Sequence, residues 1–187
     1  MNGYAQLHSL SNFSFLRSAS HPQELVEQAY LLGYSAIAIT DECSLAGVVK
    51  AHVRAKELGI KLIVGSEFHL EGDCHLVALV PSRKAYHELS GLITLARRRM
   101  PKGQYQLKLS DLQFRLKNCL LIWLPDIRKE SVEAQAKQLK KIFKRRLWIG
   151  WARQFQGGES EDIEAVQALV QRNKLPLVAC PKIRMHH

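Results

Sequence analysis

The run Ser35-Ala36-Ile37-Ala38-Ile39-Thr40-Asp41-Glu42 narrows the folds open to this chain more than any other stretch. Its four consecutive apolar residues, two of them β-branched, offer no polar face to solvent. Such a strand must be covered on both sides, as in a parallel sheet flanked by helices. Asp41 and Glu42 follow it directly, at the carboxyl end of the strand, where α/β proteins gather their chemistry.

The pattern along the chain extends this unit. A first strand is expected over residues 5–8. Ser20-His21-Pro22-Gln23 has the form of a capping box with proline in the first turn. Leu25, Val26, Ala29 and Leu32 follow at helical spacing, and Gly33 ends that helix. Ser44 is placed to cap a second helix carrying Val48, Ala51, Ala55 and Leu58 and stopped by Gly59. Further strands are expected at 62–64, 75–80, 119–124, 147–151 and 177–180, the third ending at Gly65-Ser66-Glu67. Helices are expected near 82–98, 129–145 and 161–171. A basic connection starts at Pro101-Lys102-Gly103, and Ser110-Asp111-Leu112 invites a short helical turn. About seven strands alternating with helices predict an α/β protein with parallel strands, a barrel rather than an open sheet, in one domain over residues 1–187. A barrel needs a further helix over the seventh strand, so the chain reads as cut from something longer and lacking its last covering helix.

Composition excludes some classes. No apolar run approaches the ~20 residues of a membrane span, and Met1-Asn2-Gly3-Tyr4 does not begin a signal peptide. Cys43, Cys74, Cys119 and Cys180 form no CxxC pair, which predicts reduced thiols and a cytoplasmic location. The net charge of +10 is one-sided: residues 1–82 hold 5 basic and 8 acidic residues, residues 83–187 hold 22 and 9. Arg97, Arg98, Arg99 and Lys102 form one concentration. Lys140, Lys141, Lys144 and Arg145 belong to a second, and DNA is the expected partner of such surfaces. A solvated helix face explains either cluster equally well.

The strand ends bring His8, Asp41 and Glu42, and Glu67 from the first three strands to one rim. Imidazoles and carboxylates converging in this way are what a hydrolytic metal site requires. Each also has an ordinary role: His8 as a hydrogen-bonded structural histidine, Asp41 as a turn cap, Glu67 as the partner of a lysine. His52, His69 and His87 read as surface or half-buried residues on helices or turns. His186 and His187 are terminal and carry no site.

The segments 7–15 (LHSLSNFSF), 38–47 (AITDECSLAG) and 62–67 (LIVGSE) resemble the opening of a polymerase and histidinol phosphatase (PHP) domain. More narrowly, they are similar to the amino-terminal domain of bacterial error-prone C-family DNA polymerases, relatives of the polymerase III alpha subunit. Later segments, Leu92-Ile93-Thr94 with Ala96 through Arg99, Pro101-Lys102-Gly103 and Leu175 through Ala179, fit the same family. The resemblance implies a distorted seven-stranded β/α (TIM-like) barrel. It also implies a parent protein that is a DNA-directed DNA polymerase of translesion synthesis, needing Mg²⁺ and linked to a polymerase module in the same chain. Proteins of a mutasome become expected partners as well.

Against the family pattern, the metal site reads as degenerate. Leu10 stands in place of the second histidine of His-x-His, and the next expected histidine falls near Leu16. Glu42 replaces the histidine of Thr-Asp-His, Gln154 stands after the sixth strand, and Lys182-Ile183-Arg184 replaces Asp-x-His. Only the ligand positions His8, Asp41 and Glu67 remain, and cations at Lys182 and Arg184 would repel a metal. The favoured expectation is a non-catalytic domain that binds no cofactor tightly, with Lys182 and Arg184 paired internally to Asp41, Glu42 and Glu67 rather than forming a phosphate-binding rim. The alternatives are a metal-dependent phosphoesterase or 3′–5′ exonuclease, and a stand-alone basic nucleic-acid-binding module.

Overall fold

Seven strands lie side by side in the order of the sequence, β1 (Ala5–Ser9), β2 (Ala36–Ile39), β3 (Lys61–Leu70), β4 (Cys74–Val80), β5 (Leu120–Trp123), β6 (Leu147–Trp151) and β7 (Leu177–Ala179). The computed structural model describes residues 3–152 and 159–186. Between the strands run α1 (Pro22–Leu31), α2 (Val48–Leu58), α3 (Arg83–Arg98), α4 (Leu109–Arg115), α5 (Val132–Phe143) and α6 (Glu159–Asn173), with a 3-10 turn over Lys144–Arg146.

All four residues of β2 are buried, as its unbroken apolar run requires. It pairs in parallel with β1 and β3, and β5, β6 and β7 are also mutually parallel. The expectation of parallel strands throughout fails at β4, which is antiparallel to both β3 and β5. The cause is local. Only Glu71-Gly72-Asp73 separates β3 from β4, and Gly72 and Asp73 adopt φ of 78° and 59°. A parallel return needs a crossover of a dozen or more residues, whereas a turn this tight can only make a hairpin. β3 consequently runs six residues past Val64, so Glu67 sits within a strand opposite Val77 and not at a strand end.

The sheet curls into a half-barrel whose edges are tied after β7. The Leu10 amide donates to Ile183 O at 2.9 Å, the Ile183 amide to His8 O at 3.0 Å, and Gln6 Nε2 to Pro181 O at 2.6 Å. Apolar packing fills three regions: α1 and α2 against β2 and Leu62 of β3, α3 to α6 against β3 to β6, and a small interior cluster with Ala38, Val77 and Ile122. β7 is the least covered strand, with Leu177 45% exposed.

Two helix starts differ from the sequence expectation. His21, not Ser20, is the N-cap of α1, and Glu24 completes the capping box by accepting the His21 amide at 2.7 Å. α2 begins at Val48 after Gly47, while the Ser44 hydroxyl accepts only the Ala46 amide in the preceding turn. The four cysteines are free and buried. Burial pushes Cys43, Cys119 and Cys180 up to about 12 and Cys74 to about 11, which leaves inert thiols that pack as small hydrophobes. Among the described residues no helix is long and apolar enough to cross a membrane.

Candidate functional site

The carboxyl ends of β1 and β2, the middle of β3, the start of β4 and the segment after β7 meet at one end of the barrel. His8 and Glu67 are both fully buried there, with His8 Nε2 3.0 Å from Glu67 Oε2. The other carboxylate oxygen, Oε1, receives Lys182 Nζ at 2.6 Å, His69 Nε2 at 2.8 Å and Arg17 Nη2 at 3.3 Å. A carboxylate offers about four lone-pair sites, and Glu67 has four donors. Burial pushes its carboxyl up, but the hydrogen bonds from His69, His8 and Lys182 outweigh that and hold it well below the usual carboxylate range. Burial pulls His8 down, so its imidazole is neutral, donates through Nε2 and leaves Nδ1 without a partner among the described residues.

Two further histidines complete the cluster. With His69 Nε2 donating to Glu67, its Nδ1 accepts from His75 Nε2 at 2.8 Å. His69 was expected on a turn as an ordinary residue. It lies on β3, two residues from Glu67 and so on the same face of the strand. Extending the alternation of Gly65-Ser66-Glu67-Phe68-His69-Leu70 past Val64 would have found it. His75 is the second residue of the antiparallel partner strand, directly opposite His69.

Asp41 belongs to a different group. Its Oδ1 accepts the Ser11 amide at 2.8 Å and the Ser14 hydroxyl at 2.7 Å, and its Oδ2 accepts the Ser11 hydroxyl at 2.7 Å. Gly47 backs this group so closely that a Cβ there would stand 2.7 Å from Asp41 Oδ2. Asp41 thus ties down the loop after β1, and the loop in turn delivers Arg17. Leu16, with φ of 59°, turns the backbone so that the next side chain enters the rim. A left-handed conformation at a leucine costs about 1–2 kcal/mol, which the ion pairs of Arg17 offset.

Arg17 is the residue that sequence reading missed, one place beyond the Leu16 where a histidine was sought. It bridges Glu67 and Glu42, and Tyr105 donates to Glu42 Oε1 at 2.9 Å. Burial raises the Glu42 carboxyl, and the bonds from Arg17 and Tyr105 more than reverse this. The pairing of Lys182 with Glu67 agrees with the internal pairing expected. Arg184 does not follow it: its side chain is exposed and touches none of the three carboxylates. Glu42 pairs with Arg17 and Asp41 with serines, not with the bases after β7. Leu10 is fully buried, with its amide and carbonyl taken by Ile183 and Ser18. Gln154 lies outside the described residues.

The donor set does not fit a bound metal. Glu67 already has a donor on each oxygen and three on Oε1, two protein cations touch it, and Asp41 is turned to the serine loop. Among the described residues no three His, Cys, Asp or Glu side chains are placed to hold an ion together. An open cleft of about 670 Å³ adjoins the cluster, lined by His75, Arg128, Trp151, Asp162 and Arg184 besides the buried pair.

The basic residues named for nucleic acid divide between two ends of the barrel. Arg97 sits at the rim and is committed internally, bonding the carbonyls of Cys43 at 3.2 Å and Glu42 at 3.1 Å and lying over the Tyr105 ring. Arg99 pairs with both oxygens of Asp111, whereas Arg98 and Lys102 are exposed. At the opposite end, Lys140 donates to Asn173 O at 2.5 Å, and Lys141, Lys144 and Arg145 are exposed.

A family profile described as PHP domain matches residues 6–151. The chain is 56% identical over 183 residues to an error-prone DNA polymerase of Teredinibacter turnerae, and 52% identical over 184 residues to that of Saccharophagus degradans. Each alignment covers 98% of this chain and 18% of the relative, so the chain spans under a fifth of their length. Among solved structures, a Bifidobacterium adolescentis protein assigned as a metal-dependent phosphoesterase superposes with a TM-score of 0.71 at 16% identity, over 100% of this chain and 89% of that one. An amidohydrolase from Chromobacterium violaceum gives 0.68 at 15%, over 97% and 88%. At these identities the likeness is one of fold.

Proposed function

Because the chain belongs to the PHP domain family, we propose that it is the PHP domain of an error-prone translesion DNA polymerase and does not itself hydrolyse phosphoesters. In this reading it is a structural module. It supports a polymerase module of the same polypeptide, where Mg²⁺-dependent nucleotidyl transfer takes place in the cytoplasm, and leaves contacts with DNA or mutasome proteins to its outer surfaces. The observation that carries the non-catalytic part is the set of four protein donors, two of them cationic, on Glu67. A family carboxylate that would face a cation instead accepts from Lys182, Arg17, His69 and His8.

The physical argument is electrostatic. Removing a metal from a rim of carboxylates leaves like charges that repel, and each raises the other's pKa. Arg17 and Lys182 supply the missing positive charge through covalently tethered groups, so the rim is neutralised without an ion. Leu10 removes a ligand outright and buries apolar surface in its place.

Incubating the purified chain with Mn²⁺ or Zn²⁺, bis-p-nitrophenyl phosphate and a 3′-labelled primer tests this. No turnover above the metal-only rate is expected. Hydrolysis that disappears in His8→Ala would overturn the non-catalytic reading. Primer extension by the 187-residue chain alone, with dNTPs and Mg²⁺, would overturn the assignment of synthesis to another module.

A further inference from the structure

The opposite end of the barrel, where the parallel strands begin, has a different character. Lys61 opens β3, Arg83 and Lys84 follow the end of β4, and Lys117 stands just ahead of β5. Lys144 and Arg145 precede β6, and Lys174 precedes β7. All seven are exposed, and none has an acidic partner among the described residues. The connections at this end (32–35, 58–61, 80–84, 116–119, 143–147 and 173–176) contain no Asp or Glu. The nearest acids in sequence do not pair with these bases: Glu57 pairs with Arg54, and Glu88 accepts from Asn118. The bases of this mouth therefore outnumber the acids near it, and its net charge is positive.

Within the ring of bases the barrel opens into a cavity of about 380 Å³. Leu7, Ile63, Leu79, Leu120, Trp148 and Val178 line it, and every other lining residue is apolar as well. Six of the seven strands, all but β2, contribute to these walls, so the hole is formed by the sheet itself.

We propose that this mouth docks an acidic peptide segment that inserts one bulky apolar side chain into the cavity. Charge complementarity selects the flanks of such a segment, since a base-only ring attracts acids and rejects cationic partners. The apolar lining selects the anchor. A nucleobase carries donors and acceptors around its edge, and burying them against walls that offer no partners would cost their desolvation. A leucine or phenylalanine side chain has no such groups, and a central apolar anchor inside a polar rim is the usual energetic arrangement of a peptide-binding site. Nucleic acid is therefore disfavoured at this face, although its charge alone would suggest it.

The test is fluorescence anisotropy with a labelled peptide of four acidic residues on each side of a central Leu-Phe, titrated with the 187-residue chain at low salt. Binding is expected to weaken about tenfold or more when Leu-Phe becomes Ala-Ala, and to fall as salt rises. The double variant Lys84→Glu/Lys144→Glu, on exposed side chains that leave the core untouched, should weaken it by a similar factor. Arg98→Glu, at the other end of the barrel, should leave it within about twofold. The proposal is overturned if no binding is seen at low salt, or if the Ala-Ala peptide binds equally well. It is also overturned if the double variant binds like wild type, or if a single-stranded oligonucleotide of equal charge or phosphatidylserine vesicles displace the peptide more effectively than unlabelled peptide does.

Discussion

The two ends of this barrel hold charge in opposite ways. At the rim formed by His8, Glu42 and Glu67, each carboxylate faces a base from another part of the chain, and Arg17 reaches two of them. At the mouth where the parallel strands begin, seven bases surround an apolar cavity without one acid among them. Charge that is neutralised internally holds the fold together and has little left for a ligand. Charge left unneutralised costs some self-repulsion and is available to a partner. The end that resembles an active site is thus the one organised for stability, and the end without family ligands is organised for binding.

The largest effect that would sharpen this contrast comes from the rim. Glu67→Ala leaves Lys182 and Arg17 facing one another without their shared anion, beside buried His8 and half-buried His69. Breaking a buried ion pair by removing one partner typically costs about 3–5 kcal/mol, so the midpoint of urea unfolding should fall accordingly. A loss under ~1 kcal/mol would mean that the rim does not organise stability. Arg17→Ala should cost less, about 2 kcal/mol, because its side chain is 26% exposed and water can replace part of what it gives Glu42.

The pH dependence has a definite sign. Glu67 and Glu42 both titrate below their ordinary value of 4.5 in the folded chain. A depressed carboxyl adds stability that is fully present above the unfolded pKa and is lost as pH falls below it toward the folded value. His8, lowered from 6.5 by burial, acts in the same direction, its share beginning to fade below pH 6.5. Stability should therefore fall on acidification, most steeply below about pH 4.5. Glu67→Gln should flatten that slope in urea titrations at pH 3 to 7, and an unchanged slope would assign acid sensitivity elsewhere.

The smallest effect belongs to the mouth. Lys84→Glu/Lys144→Glu should move stability by no more than about 0.5 kcal/mol, as surface substitutions usually do. A loss of several times that would show that these bases carry fold stability and would erase the contrast between the two ends.

Much of this arrangement was legible in the residues. Period and length alone placed β2 and the strand count, because an apolar run between two capped helices has few other solutions. His8, Asp41 and Glu67 were singled out by position, and Lys182 by its sign. The antiparallel hairpin was harder to see, since it depends on Gly72 and Asp73 taking positive φ in a turn of three residues. That error hid His69 and placed Glu67 at a strand end. Arg17 could not be aimed from sequence, because its direction is set by the Asp41–Ser11–Ser14 bonds that fold the loop and by the turn at Leu16. Arg97 shows the converse limit: a base in a basic cluster reads as a surface charge, yet two backbone carbonyls hold it.

The central claim is that protein cations occupy the electrostatic place of a metal at Glu67. Its most direct test is metal analysis of the purified chain after dialysis against excess Zn²⁺ and Mn²⁺ and removal of free ion. The account predicts substoichiometric metal for wild type. Retention of about two ions per chain, as a working two-metal hydrolytic site requires, with loss of that metal in Glu67→Gln, would contradict it.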